Sequence, residues 1–310
     1  MHVTFRQLRL FLAVADTGSV SRAAAAMHVT QPTASAQLKE VAQAVGLPLY
    51  EVISRRVHLT DAGRMLAQTA RAMIMEWEAF EQQVDQVKGL SRGRLRIAAV
   101  STAKYFIPRL VGSFCKAHPA IDVSLEVLNR DGVVARLKDN LDEIYIMSMP
   151  PDFIELEDRI FMENPLVLIA ARGALPKSSA PLALAADSQS VSCASRALAA
   201  LKGQRFILRE PGSGTRMATD HFFRRHRFTP DVRLELGSNE AIKEAVAGGL
   251  GLGVISLHAL QGAGAKRDVR VLEVEGFPIS SRWHLVYPKA RQLSPIAMAF
   301  REHLLGQAQK

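Results

Sequence analysis

Beyond Gly63, residues 64–87 hold neither glycine nor proline. Apolar side chains return there in alternating steps of four and three: Leu66, Ala70, Met73, Trp77, Phe80, Val84 and Val87. That spacing is a heptad a/d seam, sustained over about three heptads. Between its members stand Arg71, Glu76, Glu78, Glu81, Gln82, Gln83 and Asp85, which suit a solvated face. Thr60 can cap the helix at Asp61, and Gly89-Leu90-Ser91-Arg92-Gly93 breaks it as a hinge. The chain therefore reads in three parts: a small domain at 1–60, a linker helix at 61–89 and a larger domain at 90–310. So regular a seam fits a second copy of the same helix, and predicts a homodimer. The alternative is a single amphipathic helix laid on its own domain.

The small domain starts with Thr4 as a cap and Phe5, Leu8, Phe11, Leu12 and Ala15 at helical spacing. Asp16-Thr17-Gly18 ends this helix, and Ser19 or Ser21 can start a second through Met27, with a turn at His28-Val29. Thr30 caps a third helix. Pro32 falls in its first turn, where a missing N–H costs little. Ala34, Leu38, Val41 and Val45 face inward, leaving Gln31, Thr33, Ser35 and Gln37 beside Pro32 on the outside. Short uncharged hydrogen-bonding groups at a helix start suit base edges in the major groove of double-stranded DNA. Arg22 can grip a phosphate. Two short strands follow, Glu51-Val52-Ile53 and Val57-His58-Leu59, with Ser54-Arg55-Arg56 at their tip. Such a basic hairpin tip can contact the DNA backbone or the minor groove. The helix-turn-helix is expected at about 21–40, and the bland alternative is a three-helix cap with solvated polar residues.

Charge does not locate this reader. The net charge is +9, but residues 1–90 hold nine basic and eight acidic groups, leaving +8 for the rest. The excess favours an anionic ligand in the larger domain. Two cysteines, Cys115 and Cys193, stand far apart, and no Cys or His spacing matches a metal site. No secretion signal opens the chain, and apolar runs such as Leu166–Ala171 are far below the roughly 18 residues of a membrane span. The expectation is a soluble cytoplasmic protein with no membrane partner and no metal.

From Arg94 strands alternate with helices. Expected strands are Leu95–Val100, Ile121–Leu128, Ile144–Met147, Leu166–Ala170, Phe206–Leu208, Val232–Leu236 and Gly253–Ile255. Val269–Val274, Trp283–Tyr287 and a helix at Ile296–Leu305 return to the first unit. This predicts two α/β lobes: lobe I at about 90–161 and 269–310, lobe II at about 162–268, with ligands at the carboxyl ends of strands. Ser101-Thr102 joins a strand to a helix, so its N–H groups and hydroxyls suit a carboxylate, sulfate or phosphate, and Lys104 adds charge. An ordinary helix cap is the alternative there. The Arg209–Arg216 loop also joins strand to helix, but lacks the P-loop lysine and length, so nucleotide hydrolysis is not expected. Gly249-Leu250-Gly251-Leu252-Gly253 leads into a strand rather than out of one, so it is no dinucleotide fingerprint. No catalytic set is evident. Arg224-Arg225-His226-Arg227 reads as a solvated helix end.

Leu8–Phe11, Gly18-Ser19, Ala23-Ala24, Thr30-Gln31-Pro32, Gly46–Tyr50 and Leu59–Gly63 together resemble the LysR-type transcriptional regulators. The resemblance covers the whole chain. It implies an all-α winged helix-turn-helix domain, a dimerising linker helix and an α/β two-lobed effector domain of the periplasmic-binding-protein type. It also implies operator DNA and a small-molecule effector as partners, with RNA polymerase a further candidate, and a homotetramer built as a dimer of dimers. By this resemblance Gln31, Pro32 and Ser35 meet the groove and Arg55-Arg56 the backbone, while Ser101, Thr102, Asn129, Ser148, Arg209 and Thr215 face the effector. Val100–Phe106, Ile146–Pro151, Glu163–Val167 and Arg209–Arg216 resemble more narrowly the CbbR type, which controls carbon-fixation operons. That subgroup implies phosphorylated sugars, phosphoenolpyruvate or NADPH as effectors. Two departures stand out: Ser178–Arg196 is longer than usual, and Ser148 and Met149 replace Gly and Arg. No enzyme activity and no cofactor are expected, only an effector that is a phosphorylated metabolite or organic acid. The competing readings are a solute-binding protein or a ligand-binding enzyme relative with no transcriptional role.

Overall fold

The computed structural model describes residues 2–54, 56–87, 92–172, 198–261 and 268–308. Arg55, the Val87 side chain, most of the expected hinge, Cys193 and the Ser178–Arg196 stretch lie outside the described residues.

The small domain packs α1 (Phe5–Thr17), α2 (Val20–Ala26) and α3 (Gln31–Val45) around Leu10, Phe11, Ala23, Ala34 and Leu38. Each start is capped from the sequence immediately before it. The Thr4 hydroxyl accepts from the Gln7 N–H while Gln7 Oε1 accepts from the Thr4 N–H, a reciprocal capping box. Ser19, not Ser21, caps α2, and Thr30 caps α3 with proline in its first turn. Gly18 and Gly46 end α1 and α3 in the left-handed conformation that glycine adopts without a Cβ penalty. Antiparallel β1 (Tyr50–Ile53) and β2 (Arg56–Leu59) form the wing. It is tied down where the Val57 N–H meets the Gly18 carbonyl at 3.0 Å and the Thr60 hydroxyl meets the Pro48 carbonyl at 2.7 Å. Helix α4 (Asp61–Val87) then leaves the domain. At its start a Cβ on Gly63 would stand 1.8 Å from the Leu49 carbonyl oxygen, so only glycine admits this approach.

The larger domain holds two five-stranded sheets. The first has the order β4-β3-β5-β12-β6, from β3 (Gly93–Val100), β4 (Ile121–Leu128), β5 (Ile144–Met147), β6 (Leu156–Glu163) and β12 (Arg282–Pro288). The second has the order β11-β7-β10-β8-β9, from β7 (Leu166–Ala171), β8 (Arg205–Arg209), β9 (Asp231–Leu236), β10 (Leu252–Ser256) and β11 (Val269–Leu272). β5 and β7 are buried at every position, as expected for sheets covered on both faces. Helices α5 (Ile107–Ala117), α6 (Arg130–Lys138) and α9 (Pro295–Ala308) belong to the first lobe. Helices α7 (Gly214–Arg225) and α8 (Asn239–Ala247) belong to the second.

Three sequence expectations change. The 269–272 segment does not return to lobe I. β11 pairs antiparallel with β7, Val269 opposite Ala171, and closes an edge of the second sheet. Its apolar ends let it be read as a strand, but strand partners are a non-local choice. The chain crosses back only through the following segment, where Ile279 bridges to Leu166. β6 was not expected, because its burial does not alternate along this edge strand. The seam on α4 also divides. Ala70 is 0% exposed within the core of the small domain and so is not free for a partner, while Leu66 packs against that core and is only half-buried. Met73, Trp77 and Phe80 are 45%, 45% and 51% exposed and continuous with Phe5, whose ring lies 5.7 Å from that of Trp77. Val84 is half-buried.

Candidate effector cleft and DNA-reading surface

On the small domain, the start of α3 presents Gln31, Pro32 and Thr33 to solvent, with Ser35 and Gln37 partly covered. Thr33 is committed locally, its hydroxyl 2.8 Å from that of Thr30. Among the described residues no side-chain hydrogen bond engages Gln31, Ser35 or Gln37, the other polar side chains at the start of this helix. Lys39, exposed one turn beyond Ser35, joins this surface and escaped the sequence reading because it falls among charged positions typical of any helix. Arg22 is exposed and donates to the Thr17 carbonyl, which holds its guanidinium near the domain surface. Arg56 is exposed at the start of β2.

In the larger domain the carboxyl ends of β3, β4, β5 and β8 converge. Ser101 and Thr102 open a short 3-10 turn, Ser101–Tyr105, and do not cap α5, which sets aside the alternative of an ordinary helix cap. Their hydroxyls are spent across the molecule instead. Ser101 Oγ accepts from Arg209 Nη2 of the second lobe at 3.1 Å, and Thr102 Oγ1 accepts from the buried Trp283 Nε1 at 3.4 Å. Asn129 caps α6, its Oδ1 accepting from the Gly132 N–H at 2.9 Å. Ser148 is buried against the start of α7, where a Cβ on Gly214 would stand 2.5 Å from Ser148 Oγ. Thr215 is buried one residue further on. The Asp131 N–H donates to the Gly212 carbonyl at 3.1 Å, so backbone joins backbone across the lobes. The structure thus places Ser101, Thr102, Asn129, Ser148, Arg209 and Thr215 at the junction of the two lobes.

Lys104 is placed differently from expectation. Its ammonium lies 2.5 Å from Glu240 Oε2, and the Tyr105 hydroxyl donates to Glu240 Oε1 at 2.6 Å. This is a strut between lobes. Burial, aided by Glu240, pushes the Tyr105 phenol well above its ordinary range, so it stays a neutral donor. Burial opposes the charge on Glu240, but its bonds to Lys104 and Tyr105 outweigh that and hold its carboxyl below the usual range. A depressed carboxylate stabilises above the unfolded pKa of about 4.3 and loses that contribution as pH falls through the folded value. Glu240→Gln should therefore lower the melting temperature at pH 7 and flatten its decline between about pH 5 and 3. Identical acid limbs in the two proteins would refute the strut's role in stability.

Arg209 is 2% exposed, and its Nε and Nη2 are bound by Glu210 at 2.7 and 3.0 Å. Arg130, likewise buried, donates to the Met149 carbonyl at 2.7 Å. Asn239, at the start of α8, is 2% exposed and its Oδ1 has no hydrogen-bond partner among the described residues. The sequence reading missed Arg130, Tyr105, Asn239 and Glu240. A signal existed for the last two: Ser238-Asn239-Glu240 has the same strand–turn–helix grammar as the loops singled out. Among the described residues no cluster of His, Cys, Asp or Glu could hold a metal, and no helix is long and apolar enough to cross a membrane.

Comparison with known proteins gives this geometry its context. Residues 5–64 match the bacterial regulatory helix-turn-helix proteins of the lysR family, and residues 88–309 match the LysR substrate binding domain. The chain is 40% identical over 305 residues to the HTH-type transcriptional activator CmpR of Synechocystis, covering 98% of this chain and 96% of that one. It is 41% identical over 308 residues to a RuBisCO operon transcriptional regulator of Allochromatium vinosum, covering 99% and 97%. The regulatory domain of Synechocystis CcmR in complex with 2-PG is 43% identical. It matches 71% of this chain and 99% of its own length, with a TM-score of 0.63. A full-length OxyR variant of Pseudomonas aeruginosa, 19% identical, covers 100% and 95% with a TM-score of 0.73 and shares the fold. With its reader and two-lobed domain both matched by family models and the whole chain by its relatives, the chain belongs to the LysR family and is a metabolite-controlled DNA-binding transcription regulator rather than an enzyme.

Proposed function

We propose that this regulator controls carbon-fixation genes and senses a small anionic metabolite held between its lobes by Ser101, Thr102, Asn129, Ser148, Arg209 and Thr215. The observation that carries this reading is Arg209, a fully buried guanidinium at the lobe junction that already reaches Ser101 on the opposite lobe. Its charge is balanced by Glu210, as that of Lys104 is by Glu240. An arriving anion exchanges with these carboxylates, so binding changes the bonds that hold the lobes together. A ligand with different affinity for the two lobe arrangements shifts their populations. Phosphoglycolate is the favoured first effector to test, because a relative 43% identical is described in complex with 2-PG.

The assembly proposed is a homodimer through Phe5, Met73, Trp77 and Phe80, two dimers forming a homotetramer on operator DNA in the cytoplasm, with RNA polymerase a further partner. Two readers on one rigid pair fit paired half-sites about one or more helical turns apart. The test of the cleft is titration calorimetry with 2-phosphoglycolate on wild type and Thr102→Val. Loss of one charge-assisted hydrogen bond should weaken binding roughly 10- to 150-fold, with operator binding unchanged in the absence of effector. The valine also orphans the Trp283 N–H, so the melting temperature of the unliganded variant is measured alongside. Equal affinity of the two proteins for 2-phosphoglycolate would remove Thr102 from the site. A wild type that binds none of the phosphorylated metabolites would overturn the anion reading.

A further inference from the structure

The far end of α7 borders a second groove that the effector cleft does not use. It has a volume of about 830 Å³ and is walled by Met149 and Ile160 of the first lobe, by Phe222 on α7 and by Pro278 in the segment that crosses back between the lobes. That volume falls within the roughly 300–1,000 Å³ of small-molecule sites. The floor is apolar. The Phe222 ring packs against Phe277 with centroids 4.9 Å apart, and Ile160 is exposed beside it.

The rim is cationic, and among the described residues no aspartate or glutamate lines it. Two of its basic groups are already satisfied: Arg282 by Glu163 at 3.1 Å and His284 by Asp158 at 2.7 Å. His226 uses Nδ1 on the Phe222 carbonyl at 2.9 Å, which leaves Nε2 for another partner. His221 and Arg225 stand one helical turn apart and exposed, and no side-chain hydrogen bond or ion pair engages either among the described residues. Three basic side chains therefore face one end of an apolar trough. They lie six or more residues from Thr215, at about 1.5 Å of rise each, and so stand apart from the effector cleft.

We infer that this groove is a second ligand site, for a small amphipathic monocarboxylate. Its carboxylate pairs with Arg225, His221 and His226, and its hydrocarbon body lies on Met149, Ile160, Phe222 and Pro278. A compact phosphate ester would leave that floor uncovered. Because both lobes and the crossing segment contribute walls, an occupant favours the lobe arrangement in which they meet, and couples to the effector by the same factor in both directions. The Arg224–Arg227 run, which reads in sequence as a solvated helix end, thereby supplies one arm of a binding site.

The experiment is titration of phenylacetate into the full-length protein, with 2-phenylethanol as the uncharged control and octanoate as a second acid. Phenylacetate should bind wild type, and bind at least about tenfold more weakly to His221→Ala/Arg225→Ala and to Ile160→Asp. All three substituted side chains are exposed, so these variants should fold; their melting curves check it. Thr102→Val should bind phenylacetate as wild type does, which separates this site from the effector cleft. Failure of both acids to bind wild type overturns the proposal. So does affinity unchanged in both groove variants, loss of binding in Thr102→Val, equal binding of phenylethanol, or sedimentation showing that a second copy of the chain covers the groove.

Discussion

Replacing Gln31 and Ser35 together with alanine is expected to abolish sequence-specific operator binding while leaving an intact, folded dimer. Both residues lie on the outer side of α3, and neither is needed by the core, which takes Ala34, Leu38 and Val41 from the same helix. The cap that starts the helix is Thr30, so it survives the change. A glutamine at a helix start can bond adenine in the major groove with both its amide atoms, and each good base contact discriminates by about 1–3 kcal/mol. Losing two should cost roughly two to four orders of magnitude in specific affinity. Non-specific binding should change little, because it rests on phosphate contacts from groups such as Arg22, Arg56 and Lys39. Competition of labelled operator against random duplex at fixed salt measures the ratio directly. If the double variant keeps the wild-type ratio, α3 is not the reading helix. The near-neutral charge of the first ninety residues makes this test sharp, since bulk attraction cannot mask the loss.

Phe80→Asp is expected to dissociate the linker pairing. Phe80, Trp77, Met73 and Phe5 form one exposed apolar strip, with Trp77 and Phe80 rings 5.5 Å apart. In a two-fold pair each substitution acts twice. A carboxylate placed against such a strip must either remain buried without a partner or force the helices apart. Loss of a large buried aromatic alone costs about 3–5 kcal/mol, so the dimer should weaken by at least about two orders of magnitude. Sedimentation across a concentration series reads this. Operator binding should fall in parallel, because a single reader gains nothing from paired half-sites. Ala70→Ser offers the contrast. That residue lies in the core of its own domain, so the variant should lower the melting temperature and leave the dimer intact. A Phe80→Asp protein that sediments as wild type would place the dimer contact elsewhere.

Much of the small domain was legible residue by residue. Thr4 and Thr30 announce helix starts, Gly18 announces an end, and the apolar spacing names the core, while the choice of Ser19 over Ser21 as the cap of α2 came from the structure. The linker helix was equally plain, and so were Ser101, Thr102, Arg209 and Thr215 as residues at strand ends. Less legible was what those residues bond. Ser101 and Thr102 look like helix caps, yet their hydroxyls meet Arg209 and Trp283, more than a hundred positions away. Lys104 looks like a charge aimed at a ligand, yet it holds Glu240. Neither pairing leaves a trace in local spacing.

The long seam from Leu66 to Val87 shows the division most clearly. The sequence alone determined that a helix runs there, because capping, helical propensity and apolar period are set by neighbours within a turn or two. It also determined which side of α3 faces outward and the alternation of strands and helices beyond Arg94. Only the tertiary structure decided which seam residues are free: Ala70 is claimed by the core of the small domain, and Met73, Trp77 and Phe80 are not. Only the tertiary structure assigned 269–272 to the second sheet, joined α8 to the cleft and opened the groove beneath Arg225. The physical reason is common to all of these. Hydrogen-bond geometry and side-chain period are local, whereas burial and ion pairing depend on whichever distant surface arrives first at favourable distance, and several apolar or charged surfaces in this chain compete for each partner.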